Sequence, residues 1–287
     1  MIFRLFQGFG RMRDFPSCFG ENAVQIYDSS PSVTSSKNPQ NMVTCIYQCR
    51  IRGRFCLITI TWSKSLMGVV LNVAIDDSWM QCLRRVSIKP WLFSRRRGCK
   101  SIEGYTGKID IFWDLSTAKF GSGPEPLEGY FVVVSMEEQI ALLLGDMRKE
   151  ASKKIGFVPL PRNTAFVAKK ENIFGKRVFT TKAQFSENNT VHEIEVDCDD
   201  SDASDPCLIL RVDCKAVVQV KHLQWKFRGN HSMLIDGTAV EFLWDVHSWL
   251  FGASDACGIF MFTAEKMWHD HGLPSSFSLV LYAWKSE

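Results

Sequence analysis

The sequence predicts an all-β fold: an internally duplicated antiparallel β-meander, packed as a sandwich or closed into a barrel, with one short connecting helix. Three observations carry this. Short runs of alternating apolar and polar residues recur between turn residues, the pattern of half-buried strands. The long helical crossovers that a parallel α/β sheet requires are not legible between them. And two stretches match without a gap: Phe112-Trp113-Asp114-Leu115-Ser116 through Phe120-Gly121, and Leu243-Trp244-Asp245-Val246-His247 through Phe251-Gly252, with the two tryptophans 131 residues apart. That interval is far longer than a solenoid repeat, so it points to a duplicated half rather than an array. Around the match, Trp91-Leu92-Phe93 with Arg95 to Arg97 echoes Trp225-Lys226-Phe227-Arg228, and Gly129-Tyr130-Phe131-Val132 echoes Gly258-Ile259-Phe260-Met261.

The elements follow in chain order. Residues 1–50 read as an N-terminal extension and linker, because Ser29 to Asn41 is a Ser/Pro/Asn run with almost nothing to bury. The first β half, 51–146, opens with Phe55 to Trp62, where Ile58, Ile60 and Trp62 alternate with Leu57, Thr59 and Thr61. Strands are expected next over 68–75, 83–88, 108–113, 130–135 and 139–144. Asp146 to Lys154 holds strong helix formers with basic residues toward its end, and makes the natural connector inside 147–176. Gly156 and Pro159-Leu160-Pro161 stop it. The second half, 177–287, reads as strands over 177–185, 191–196, 207–212, 216–221, 223–227, 232–235, 239–244, 258–263 and 277–284, with Asp236-Gly237 as a hairpin turn.

Composition narrows the function classes. A net charge of +3 over 287 residues is too mild for a dedicated nucleic-acid binder. No window approaches the roughly 20 apolar residues of a helical membrane span, so a soluble chain is expected. The basic, apolar start, Met1 to Arg11, is interrupted by Arg4 and Gln7, which argues against a secretory signal and leaves weak organelle targeting as an alternative to a cytoplasmic or nuclear chain. Ten cysteines in such a chain are expected as thiols. Cys45 and Cys49 have no second pair at zinc spacing, so neither a metal site nor a cofactor is expected. The glycosylation acceptor patterns at Asn188 and Asn230 matter only in a secreted protein.

Several segments together resemble a plant-specific family known as domain of unknown function 868. They are Met12-Arg13-Asp14 to Val24, Thr61-Trp62-Ser63-Lys64-Ser65-Leu66-Met67-Gly68, Ile111 to Ser116, Ser122-Gly123-Pro124-Glu125-Pro126-Leu127-Glu128-Gly129, Leu143 to Met147, Gln219-Val220-Lys221, Trp225 to Asn230 and Trp244 to His247. The resemblance implies a plant origin, a match from Met12 onward with the first eleven residues outside it, and no activity.

Candidate chemistry is sparse. In the two Trp-Asp pairs, Trp113 and Trp244 are expected to end strands and anchor the core, while Asp114 and Asp245 cap the turn that follows; a cation or sugar site is the competing reading. The histidines include one close cluster, His269-Asp270-His271, in a polar stretch where exposed loop residues are the common outcome. No catalytic or phosphate-cradling motif is present. The long loop Gly121 to Pro126 is either a plain connection or the rim of a binding mouth. The basic residues Arg95, Arg96 and Arg97 in the first half, and Lys221, Lys226 and Arg228 in the second, interleave with Trp91, Phe93, Trp225 and Phe227. Such a surface suits an acidic protein, RNA or an anionic lipid. The expected role is therefore a non-catalytic binding module; a carrier of a small lipophilic ligand is the alternative, and an enzyme of unrecognised type the third.

Overall fold

Among the described residues a computed structural model shows nineteen strands and two short helices. The structure describes residues 42–65, 68–77, 82–89, 96–104, 107–156, 164–174, 177–186, 190–199, 205–252, 256–265 and 276–284. The Ser/Pro/Asn linker, the N-terminal targeting segment, Asn188, Trp91, Phe93, Arg95 and the His269 cluster lie outside the described residues.

The chain runs through β1 (Met42–Ile51), β2 (Arg54–Ser65), β3 (Gly68–Asp77) and β4 (Cys82–Ile88) as one antiparallel meander. A second meander follows: β5 (Arg97–Gly104), β6 (Gly107–Asp114), the short β7 (Lys119–Phe120) and β8 (Pro126–Glu128), then β9 (Phe131–Met136) and β10 (Gln139–Gly145). The helix α1 (Arg148–Ile155) buries Ala151 against β9 and ends at Gly156, which adopts φ 91°. Next come β11 (Thr164–Phe174), then β12 (Val178–Ala183), β13 (His192–Asp199), β14 (Cys207–Val212) and β15 (Lys215–Val220). The last meander is β16 (Arg228–Ile235), β17 (Thr238–Asp245), a second helix α2 (His247–Phe251), β18 (Cys257–Glu265) and β19 (Ser276–Trp284).

β11 joins the strands that precede and follow it into one sheet. It pairs antiparallel with β1 and parallel with β19, giving a nine-stranded sheet of order β16-β17-β18-β19-β11-β1-β2-β3-β4. Two four-stranded sheets, β10-β9-β6-β5 and β12-β13-β14-β15, complete the layers, and no sheet closes into a barrel among the described residues. Directly paired residues project to the same face of a sheet. Cys45 pairs with Lys169, which pairs with Leu279. Cys45 belongs to the core under the first small sheet and Leu279 to the core under the second. Both small sheets therefore cover one face of the large sheet, and Lys169 points into the seam between them.

Each core is filled by large side chains. Ile58, Ile60, Trp62 and Leu71 meet Ile111, Val132 and Val134 in the first, and Phe179, Phe185, Phe242, Phe260, Phe262 and Phe277 pack in the second. The 131-residue register is kept in the geometry: β5 and β6 begin and end where β16 and β17 do, and β6 and β17 bury the same positions.

Several elements differ from expectation, among them β5, β7 and β8, where no strand is expected. β1 lies inside 1–50, so the folded body begins by Met42; it is buried on both faces, with Cys45 and Ile46 buried side by side and Gln48 buried among them, so burial does not follow a period of two and the strand is hidden in the sequence. β11 lies inside the connector 147–176. The segment 223–227 is a turn rather than a strand, because His222 takes a left-handed φ of 55° and draws the following amides back onto its carbonyl. A second helix, α2, is present beyond the one connector expected. Among the cysteines expected as thiols, Cys49 and Cys56 are joined as a disulfide across directly opposed positions of β1 and β2.

Candidate binding surface

The segment between β15 and β16 is an ordered turn with an exposed aromatic tip. Leu223 is fully buried and its N–H donates to the carbonyl of Pro206 at 2.9 Å. The His222 carbonyl accepts from the N–H groups of Trp225 at 2.9 Å and Lys226 at 3.2 Å, while the His222 N–H donates to Asp205 Oδ1 at 3.1 Å. With the turn fixed on both flanks, Trp225 stands 80% exposed. Lys221, His222 and Lys226 are exposed beside it in sequence.

The neighbouring residues extend the surface. Phe227 makes edge contacts with the rings of His247 (centroids 5.1 Å) and Phe251 (6.1 Å) from α2, and Phe251 is itself 56% exposed. The Arg228 guanidinium lies 5.6 Å from the Phe227 ring and donates from Nε to Asp245 Oδ2 at 2.8 Å. Arg228 is thus neutralised locally, and Lys221 and Lys226 supply the net positive charge.

The Trp-Asp pairs do what a packing and turn device does. Trp244 is half-buried against the second core and donates from Nε1 to the Lys226 carbonyl at 2.9 Å, so it holds the surface turn from beneath. Asp245 Oδ1 accepts from the N–H of His247, the first residue of α2, at 3.1 Å. In the first half, Trp113 is half-buried against its own core and Asp114 Oδ1 accepts from the Ser116 N–H at 2.9 Å. The backbone also repeats: Leu115 N–H donates to the Arg96 carbonyl and Val246 N–H to the Phe227 carbonyl, each at 2.8 Å.

The sequence-predicted basic residues are therefore placed in two settings. Lys221, Lys226 and Arg228 flank Trp225 in the exposed segment that leads into β16, the end strand of the nine-stranded sheet. Arg96 and Arg97 are exposed at the start of β5, an edge strand of a separate sheet, where Arg97 sits opposite Asp114.

Two polar clusters carry no local sequence signal. In the seam, Lys169 Nζ bonds Glu171 Oε1 at 2.6 Å and lies 3.7 Å from Glu125 Oε2; Thr181 Oγ1 of β12 donates to Glu171 at 2.6 Å. Glu125 comes from the long polar loop, in which Pro124 and Pro126 are buried, and its carboxylate reaches Cys45 of β1 and Lys169 of β11. Burial and the Glu125 carboxylate push the Cys45 thiol up. Elsewhere, the imidazole of His192, 6% exposed, lies between Asp213 Oδ2 at 2.7 Å from Nδ1 and Asp236 Oδ2 at 3.0 Å from Nε2. Burial works against the charged ring, and the two carboxylates outweigh it and raise its pKa. Among the described residues no group of three or more His, Cys, Asp and Glu side chains is arranged to hold a metal ion. No helix of the described residues is long and apolar enough to cross a membrane.

No curated protein and no solved structure matches the chain. A family model does match, over residues 38–285, so the Met12 to Val24 segment of the expected resemblance falls outside it. Spanning nearly all of the layered body, that match shows that the chain belongs to the family described as plant protein of unknown function, DUF868.

Proposed function

We propose that the chain is a non-catalytic binding module that takes an anionic macromolecule at the surface formed by Trp225, Lys221, Lys226 and the exposed rings of α2. The carrying observation is Trp225: a large apolar side chain held in water by a turn whose hydrogen bonds are already made. Ordering that turn costs nothing further on binding, and an indole flanked by lysines is the side-chain type that dominates binding energy at interfaces. Aromatic rings packed through both cores support recognition at the surface over an internal lipophilic cargo. The shared 131-residue register supports an origin by duplication.

Binding to poly-L-glutamate, poly-U RNA and phosphatidylserine vesicles, measured at about 50 and 200 mM salt, tests this. At least one should bind and weaken steeply with salt, and Trp225→Ala and Lys226→Glu should each lower affinity by roughly tenfold or more. Failure of the native chain to bind all three probes, or indifference to both substitutions, overturns it.

A further inference from the structure

The nine-stranded sheet ends in two edges of different chemistry. β4, at one end, exposes Arg84 and Arg85, charges of the kind that blunt an edge against pairing. The small-sheet edges are also guarded: β5 carries Arg97, Lys100 and Glu103, β12 carries Lys182 and β15 carries Lys215, while the β10 edge is occupied where Thr164 Oγ1 donates to the Ala141 carbonyl at 2.6 Å. β16 carries a single charge, Arg228 at its first residue, and that guanidinium is paired with Asp245. After Arg228 it reads Gly-Asn-His-Ser-Met-Leu-Ile, without charge or proline, and it pairs with β17 through eight consecutive positions with no bulge. Among the described residues nothing pairs with its other edge. His231 and Ser232, on opposite faces, are both exposed, and Leu234 is 75% exposed.

An edge of this kind offers a row of unpaired backbone groups about 27 Å long, enough for an eight-residue segment in extended form. Its ends differ. Near Arg228 it runs out of the turn that carries Lys221, Trp225 and Lys226, and near Ile235 it presents Leu234. From this polarity we propose that β16 accepts an extended segment of a partner protein as a tenth strand, antiparallel to it, with an apolar N-terminal part over Leu234 and an acidic C-terminal part at Lys226. The assignment rests on the binding surface proposed above and names its partner as a protein: main-chain hydrogen bonds along β16 supply the docking, and the lysines supply direction and discrimination.

The test uses the isotope-labelled full chain and the peptide Val-Thr-Val-Thr-Val-Glu-Asp-Glu, with the reversed peptide and poly-L-glutamate as controls. The peptide should slow hydrogen exchange at the amides of 229–235 and bind roughly tenfold more tightly than its reverse. Consecutive strand residues direct their N–H groups to opposite sides, so one of His231→Pro and Ser232→Pro removes an outward N–H that an edge strand can spare. That variant should keep its affinity for poly-L-glutamate and lose the peptide. Poly-L-glutamate binding with no protection of β16 by the peptide overturns the strand addition and leaves the surface reading standing; binding of neither the peptide nor poly-L-glutamate overturns the strand addition, and the surface reading falls with it when poly-U RNA and phosphatidylserine vesicles also fail to bind. Protection of β16 that grows with protein concentration in the absence of peptide assigns the edge to a second copy of the chain and overturns the partner assignment.

Discussion

The ring of Trp244 lies flat against the backbone of Gly229, its directly opposed partner across β16 and β17, so closely that a methyl group at position 229 would overlap the ring. Trp113 covers Gly98 in the same way, where an added methyl would come within 2.7 Å of the ring. Neither glycine needs a left-handed backbone; each is required because a tryptophan occupies the space above it. The repeated Trp-Asp unit is therefore one device used twice, an indole closing over a glycine on the neighbouring strand and a carboxylate starting the turn beyond.

Gly229→Ala and Gly98→Ala should each destabilise the chain by about 1–3 kcal/mol, the cost of forcing a methyl into a packed contact. Denaturant unfolding measures this. Trp244 also holds the Lys226 carbonyl, so Gly229→Ala should in addition weaken anion binding at the surface turn, whereas Gly98→Ala should not. A loss below about 0.5 kcal/mol, the scatter of neutral surface changes, would show that the rings are free to move aside.

The seam makes a different demand. Lys169 stands between Glu171 and Glu125 with its side chain only 15% exposed, so Lys169→Met leaves two carboxylates facing an apolar stem. Removing one partner of a buried ion pair typically costs about 3–5 kcal/mol, whereas exchanging the whole pair for apolar residues of similar volume is close to neutral. Lys169→Met alone should be strongly destabilising, and adding Glu171→Leu should restore much of the loss. A double-mutant cycle by urea unfolding reads the coupling; purely additive losses would mean that the seam is held by packing and not by the ion pair.

Legibility in the sequence followed the locality of the signal. Strands with clean alternation, such as Phe55 to Trp62, and the matched pair at Trp113 and Trp244 were readable because period two and a gapless repeat are properties of the chain itself. β1 and β11 were not, because both lie at the centre of the large sheet. There Cys45 and Ile46 are buried on opposite faces and Lys169 and Glu171 replace apolar residues, so alternation fails where burial is greatest. At the proposed binding surface the residue types at 221, 226 and 228 were readable, but the turn that exposes Trp225 depends on Asp205 and Pro206, which lie in another part of the chain. Likewise, His192 gave no motif, since its partners Asp213 and Asp236 come from two hairpin turns that only the folded sheets bring together.

That histidine sets a pH dependence. Asp213 and Asp236 face its two ring nitrogens; the N–H of Glu193 donates to Asp213 Oδ1 at 2.9 Å, and Lys215 acts on Asp213 from β15. Only the imidazolium donates from both nitrogens, so the clamp is complete when the ring is charged. Its pKa is raised in the fold, and its contribution to stability is therefore fully present below the unfolded value of about 6.5 and is lost as pH rises through the folded value. Asp213, whose pKa is lowered chiefly by its hydrogen bond from His192, contributes in the opposite window, above its unfolded value of about 3.9, and loses that contribution on acidification. Urea midpoints of the native chain and His192→Gln, compared from about pH 5.5 to 9 across the histidine's titration, should differ most at the acidic end and converge as pH rises. A difference that stays constant or widens toward alkaline pH would mean that the ring is neutral in the fold and that the two turns are held together by packing alone.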